Sequence, residues 1–256
     1  MTAEKRFEGK VAIVTASTEG IGKAIARRLG LEGARVVVSS RKRSNVDRTV
    51  EELKSEGISA VGVVCHVSRE KDRQTLVNTA LENFGRIDIL VNNAGISLSV
   101  GDILDVTETM WDKLFETNVK AGFLLTKLVA PHMEKQGSGN IVFVGSAVAY
   151  VIGTGIAAYA ITKTAMVALV KALNHSLAPK NIRVNCIAPG VITTKMSKAL
   201  ISDEEAEPSL MGMPIPLGRF GVPEDCSGAV AFLCSKDADY ISGETLVIAG
   251  GIPSRL

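Results

Sequence analysis

The feature that leaves this chain fewest options is an alternation. Short β-branched runs are separated from end to end by stretches of helical periodicity. Strands are expected at Val11–Thr15, Arg35–Ser39, Ala60–Cys65, Ile87–Val91, Asn140–Val144, Arg183–Ile187 and Thr245–Ile248. Near-continuous Val and Ile suit strands covered on both faces, and helices between successive strands favour a parallel sheet. The helices have legible ends. Ser44-Asn-Val-Asp47 reads as a capping box, Val46, Val50 and Leu53 then share one face, and Gly57 can stop the helix in the left-handed region. Leu76, Val77, Ala80, Leu81 and Phe84 repeat the pattern before Gly85. With 256 residues, 46% of them apolar, one large unit with a sizeable core is favoured over two. The expected class is α/β, a single-domain Rossmann-like doubly wound parallel sheet of about seven strands with helices on both faces, spanning 1–256.

Composition excludes several functions. A net charge of +2 from 29 basic and 27 acidic residues, with no basic block, argues against nucleic acid as a partner. Cys65, Cys186, Cys226 and Cys234 form no Cys-x-x-Cys pair, and with three histidines no metal-site spacing arises, so reduced structural thiols and no metal are expected. The chain shows neither a secretory apolar region nor a membrane-length stretch, which gives the expectation of a soluble, intracellular protein without a membrane span. Its last residues, Ser254-Arg255-Leu256, are a conservative form of the Ser-Lys-Leu peroxisomal address, so the import receptor is an expected partner. Without that signal the location would be cytoplasmic.

One region interrupts the alternation. Ser202-Asp-Glu-Glu-Ala-Glu-Pro208 is followed by Met211, Met213, Pro214 and Pro216, and a long apolar insertion of this kind, over about 191–221, reads as a lid for a hydrophobic substrate. The helix Ala158–Leu177, rich in alanine, and the helix Trp111–Leu128 offer surfaces for two-fold packing, so a homo-oligomer is expected.

The chemistry begins after the first strand. Ser17, Thr18, Glu19, Gly20, Ile21 and Gly22 lead into a helix over Lys23–Gly30, and such a turn lets backbone amides approach a dinucleotide pyrophosphate at a helix N-terminus. An acid ending the second strand would bond the ribose hydroxyls of NAD and repel a 2′-phosphate. That end instead reads Ser39-Ser40-Arg41-Lys42, whose cations and hydroxyls suit NADP(H). Further on, Tyr159-Ala-Ile-Thr-Lys163 places a phenol and an ammonium one helical turn apart, and Ser146 lies thirteen residues upstream at a strand end. Tyr159 is the candidate proton donor for carbonyl reduction, Ser146 the hydrogen-bond donor to the carbonyl oxygen. Lys163 is expected to lower the phenol from its usual value near ~10 by ~2 to 3 units. Tyr150 is a competing phenol without a cation four residues on. Val148, Tyr150, Ile152 and Ile156, with Ser146 and Tyr159, are the candidate substrate pocket. The plainer roles are an amphipathic helix residue for Tyr159, a strand cap for Ser146 and a backbone tie for Asn118.

Thr15…Gly20-x-Gly22, Asn92-Asn93-Ala94-Gly95, Asn118, Ser146, Tyr159-x-x-x-Lys163 and Pro189-Gly190…Thr194, in this order, resemble the short-chain dehydrogenase/reductase superfamily over essentially the whole chain. Thr15–Thr18, Ser39–Lys42, Cys65-His66-Val67 and the C-terminal residues look most like its peroxisomal NADPH-dependent carbonyl/retinal reductases. The resemblance implies a catalytic set of Asn118, Ser146, Tyr159 and Lys163, with Asn118 anchoring a water that links Lys163 to solvent. Lys163 and Tyr159 would also contact the nicotinamide ribose. Asn92, Ala94 and Gly95 would line the adenosine side, and Pro189, Gly190, Ile192 and Thr194 the nicotinamide end. His66, with Val67 beside it, stands where the superfamily usually has an Asp that accepts from adenine. Ala16 stands where Gly is usual, so that turn is expected to manage with φ < 0. Retinal, aromatic ketones and α-dicarbonyls are the implied substrates and a tetramer the implied assembly. A 3-oxoacyl thioester reductase shares this set, and a non-catalytic dinucleotide-binding sensor or scaffold is the alternative of another class.

Overall fold

The computed structural model describes residues 5–98, 101–153, 155–197 and 208–253. Its elements follow the alternation: β1 (Val11–Val14), α1 (Gly20–Leu31), β2 (Arg35–Ser40), α2 (Arg43–Ser55), β3 (Ala60–Val64), α3 (Glu70–Phe84) and β4 (Ile89–Asn92). Then come α4 (Glu108–Phe115), α5 (Ala121–Gln136), β5 (Gly139–Val144), α6 (Ala157–Leu177) and β6 (Ile182–Pro189). A short hairpin of β7 (Ser209–Leu210) and β8 (Met213–Pro214) precedes α7 (Pro223–Cys234) and β9 (Thr245–Ile248). All seven expected strands form one sheet in the order β3-β2-β1-β4-β5-β6-β9, with every pairing parallel.

Alternate residues of the strands enter two cores. Ala12 and Val14 face Ile25 and Leu29 of α1, Leu53 of α2 and Val230 of α7. Val11 and Ile13 face Leu76 of α3, Leu125 and Val129 of α5, and Met166 and Val170 of α6. Burial on both sides explains why these strands read as unbroken apolar runs. The chain steps from β1 to β2 and β3, then crosses back to β4 beside β1. That reversal opens a crevice at the carboxyl ends of the strands. All four cysteines are buried free thiols. Among the described residues no helix is long and apolar enough to cross a membrane, and no cluster of metal-binding side chains occurs.

Two local expectations are corrected. The capping box at Ser44–Asp47 does not form. The helix α2 starts at Arg43 with Lys42 as its cap residue and no side-chain cap, so Ser44 lies inside the first turn and Asp47 instead accepts from Arg43 at 2.9 Å. The helix expected over Trp111–Leu128 is interrupted. A π-turn at Glu116–Lys120 joins α4 to α5, and the wider turn aims Asn118 inward. The α6 helix packs Met166, Val170 and Leu177 onto its own sheet.

Candidate active site

The crevice is built first by a brace between two loops. Thr15 Oγ1 accepts from the amides of Asn93 and Ala94, both at 2.9 Å, and donates to the Val91 carbonyl. Asn93 Nδ2 donates to the carbonyls of Thr15 and Ala16 at 2.9 and 3.1 Å. The Ser17 amide donates to the Ser39 carbonyl. These bonds fix the backbone so firmly that Ala16 adopts φ +49°, which overturns the expectation of a negative φ there. Alanine tolerates that region at a modest cost, which the surrounding bonds offset.

Gly22 has no alternative residue. A Cβ there would lie 2.3 Å from Asn93 Nδ2 and 2.5 Å from the Ala16 carbonyl oxygen. Gly20 has φ +53°. No side chain caps α1, so its first amides face the crevice as an anion cradle. This arrangement fits a dinucleotide pyrophosphate. Around it the expected contacts divide. Ser17 and Ser39 are buried and donate to the Val14 carbonyl, so both hydroxyls brace the loop. Thr18 is buried, and Ile21 packs against the core. Ser40 is half-buried, while Arg41 and Lys42 are exposed at the end of β2, and neither joins an ion pair among the described residues. Asn92 turns inward, its Nδ2 donating to Thr126 Oγ1 at 3.4 Å. Ala94 and Gly95 stay half-buried. The His66 amide donates to Asp72, and Arg73 donates to the Val67 carbonyl at 2.7 Å. His66 Nδ1 is enclosed without a partner, which leaves Nε2 as the ring nitrogen for a ligand.

The second half of the site converges from β5, α6 and the π-turn. Asn118 Oδ1 accepts from the Ile96 amide at 2.9 Å, while Nδ2 donates to the Ile96 carbonyl and to Thr162 Oγ1, both at 3.0 Å. Its side chain thus ties the Ile96 backbone to Thr162 of α6. Ser146 caps a short turn, accepting from the Val148 amide at 3.3 Å and donating to the Pro189 carbonyl at 3.4 Å. The Tyr159 phenol meets Ser146 and is pushed up to about 12: burial raises it, and a hydrogen bond from Ser146 pulls the other way. Lys163 is buried, donates to the Val144 carbonyl at 2.8 Å and lies 5.5 Å from the centre of the Tyr159 ring. Burial pushes its ammonium down to about 8, against a small opposite pull from Cys186. The expected lowering of the phenol by Lys163 is thus reversed here. The ammonium donates to the Val144 carbonyl, and burial of the phenol outweighs the hydrogen bond from Ser146.

Over this pair lies an apolar cover. Val148, Ile156, Ala160 and Tyr159 pack with Leu210, Met211, Met213, Ile215 and Phe220. Met211 and Gly212 form the two-residue turn between β7 and β8, with φ +52° and +78°, as such a hairpin requires. The Met211 sulfur fills the space beside Gly153, where a Cβ would lie 2.1 Å from it. The expected lid is described at 191–197 and 208–221, while its 198–207 portion lies outside the described residues. Of the other pocket candidates, Tyr150 is half-buried and Ile152 is 59% exposed. Pro189 and Gly190 hydrogen-bond at the end of β6, and Ile192 and Thr194 begin the cover. Gly190 touches Ala249, and the Thr194 methyl lies 3.1 Å from the Cβ position of Gly20.

Sequence reading gave no role to Thr162 or to a pair across the crevice. Lys195 Nζ donates to Glu19 Oε1 at 2.6 Å. Both depend on contacts distant in the chain, Thr162 with Asn118 and Lys195 with Glu19.

Comparisons with known proteins agree with this architecture. Residues 15–253 match the family described as enoyl-(acyl carrier protein) reductase. The chain is 54% identical over its whole length to human dehydrogenase/reductase SDR family member 4, covering 92% of that protein. It is 55% identical to the Caenorhabditis elegans protein of the same name, over 98% of each chain. Among solved structures, a 7α-hydroxysteroid dehydrogenase complexed with NADH and 7-oxo glycochenodeoxycholic acid superposes with TM-score 0.91 at 36% identity, covering 99% of this chain and 98% of that one. A Brucella melitensis 3-ketoacyl-(acyl-carrier-protein) reductase complexed with NADH gives TM-score 0.87 at 34% identity, over 96% and 98%.

Proposed function

The chain belongs to the short-chain dehydrogenase/reductase family and is an NAD(P)-dependent oxidoreductase, and from that premise we propose that it reduces apolar aldehydes and ketones to alcohols with NADPH. The observation that carries this reading is the Tyr159 hydroxyl meeting Ser146 beneath an apolar cover, with Lys163 one helical turn away.

When bound, the nicotinamide supplies the hydride to the carbonyl carbon. The amides of Gly20, Ile21 and Gly22 would hold the pyrophosphate at the head of α1. Arg41 and Lys42, with Ser40, would meet a 2′-phosphate at the acid-free end of β2. His66 and Val67 would border the adenine, Ala94 and Gly95 the adenosine, and Pro189 to Thr194 the nicotinamide end. The buried phenol keeps its proton at neutral pH, so Tyr159 is the neutral acid that gives it to the developing alkoxide. Ser146 donates to the same oxygen, where negative charge grows. Lys163 supplies positive charge behind the phenol as its proton leaves. Asn118 holds the Ile96 backbone and, through Thr162, the α6 turn that carries Tyr159.

An apolar cover suits apolar carbonyls such as retinal, aromatic ketones and α-dicarbonyls, and the names of similar relatives suit a reductase. Peroxisomal import through Ser254-Arg255-Leu256, which lies outside the described residues, and a homotetramer complete the proposal. The similarity to a 3-ketoacyl reductase favours a second reading, reduction of 3-oxoacyl thioesters. NADPH absorbance decay across retinal, diketones, aryl ketones and 3-oxoacyl thioesters, repeated with NADH, separates them. Apolar carbonyls are expected to turn over faster than thioesters. NADPH is expected to win by about 10- to 100-fold, the worth of a charge-assisted phosphate contact of ~1.5–3 kcal/mol. Arg41→Ala should erase most of that preference. Faster thioester turnover would install the second reading, and tight binding without any turnover would install the sensor.

A further inference from the structure

Glu19 and Lys195 are 176 residues apart and stand on opposite sides of the dinucleotide crevice, yet their side chains meet at 2.6 Å. Glu19 is the residue at the cap position of α1, extended at φ −154° and ψ 162°, and its carboxylate makes no capping hydrogen bond. That is unusual chemistry for the place. A carboxylate there is drawn to the free amides and positive dipole of the helix, and it would occupy the groups that a pyrophosphate needs. Lys23, one turn along α1, does not hold it back, because Lys23 is taken by Glu52 at 2.5 Å.

Lys195 comes from a turn that is braced independently of this ion pair. Ser197 Oγ accepts from the Thr194 amide at 2.9 Å and donates to the Ile192 carbonyl at 2.5 Å, and the Thr193 amide donates to the Gly221 carbonyl at 2.8 Å. The Thr194 methyl lies where a Cβ on Gly20 would meet it, at 3.1 Å. A turn held together without this pair therefore presents the ammonium to Glu19.

We propose that Lys195 is a positioning residue for dinucleotide binding: by pairing with Glu19 it keeps that carboxylate off the head of α1 and leaves those amides open to the pyrophosphate. This rests on the dinucleotide reading above and adds a determinant of affinity within it. The pair is solvent-exposed, with 75% of the Lys195 side chain accessible, so its effect is modest and depends on salt.

The test is calorimetric titration of NADPH into the full-length protein and its Lys195→Met, Lys195→Arg, Glu19→Gln and double Glu19→Gln/Lys195→Met variants. Adenosine 2′-phosphate, which lacks the pyrophosphate, serves as the control ligand. Lys195→Met is expected to weaken NADPH binding about threefold to fivefold at low salt, with the control ligand unchanged. Lys195→Arg should restore the affinity, and Glu19→Gln should bind at least as tightly as the wild type. The double variant should match Glu19→Gln, since without the carboxylate nothing needs holding back. A Lys195→Met protein that binds like the wild type overturns the proposal, as does a penalty that persists undiminished beside Glu19→Gln. Wild-type protein that binds neither NADPH nor NADH would remove the dinucleotide reading as well.

Discussion

Two buried ionisable groups sit at opposite ends of the same sheet, and their surroundings treat charge in opposite ways. At the amino ends of the strands, Asp88 accepts from the Val11 amide at 2.9 Å, from Arg86 at 2.8 and 2.6 Å, and from Lys10 at 3.3 Å. Burial alone would raise its carboxyl, but the Arg86 and Val11 hydrogen bonds and the nearby cations hold it below the usual range. At the carboxyl ends, Lys163 is equally enclosed and has the Val144 carbonyl as its described partner. There burial wins, and the ammonium falls to about 8. The lower end stabilises its charge and the fold with it. The upper end tolerates a charge that destabilises the fold, as expected where chemistry requires it.

Breaking the upper end should give the largest effect. Lys163→Met is expected to cut carbonyl turnover by at least ~100-fold while raising thermal stability at pH 7 by about 1–3 kcal/mol, the size of the relieved burial cost less one hydrogen bond. The sign follows from linkage. Between the folded value of about 8 and the ordinary 10.5, the unfolded chain binds the extra proton, so wild-type stability rises with pH there. The variant's advantage should accordingly be full below pH 8 and shrink above it, as melting curves across pH would read. Wild-type reduction should also slow above pH 8 as Lys163 loses its charge. Equal stability of the two proteins at pH 7 would end the comparison.

The lower end should respond in the reverse sense. Asp88→Asn is expected to lose about 2–3 kcal/mol of stability, through weaker bonds to Arg86 and the Val11 amide, with turnover of the folded protein unchanged. A folded-state carboxyl below its ordinary value of 3.8 contributes stability above that pH and loses it as pH falls through the folded value. The wild type should therefore lose its margin over Asp88→Asn only in strong acid. Urea unfolding at pH 7 and pH 3 measures both.

The legibility of the sequence follows the same division. The seven strands could be read because each is covered on both faces, so its apolar run is a direct record of burial. The order of Ser146, Tyr159 and Lys163 was legible because helical spacing and a strand end place them. Side-chain aim was not legible. That Lys163 turns to Val144, that Asn93 forces Ala16 to a positive φ, and that Asn118 enters through a π-turn all depend on partners distant in the chain. The capping box failed because α2 starts at Arg43, which puts Ser44 inside the first turn and leaves Asp47 to accept from Arg43.

The most direct test of the account is single-turnover oxidation of NADPH by wild type and Tyr159→Phe, with cofactor affinity measured on the same samples. The account predicts NADPH binding within about twofold of the wild type and a loss of turnover of ~1,000-fold or more, since the phenol proton has no substitute. Turnover retained by Tyr159→Phe at undiminished cofactor affinity would contradict it.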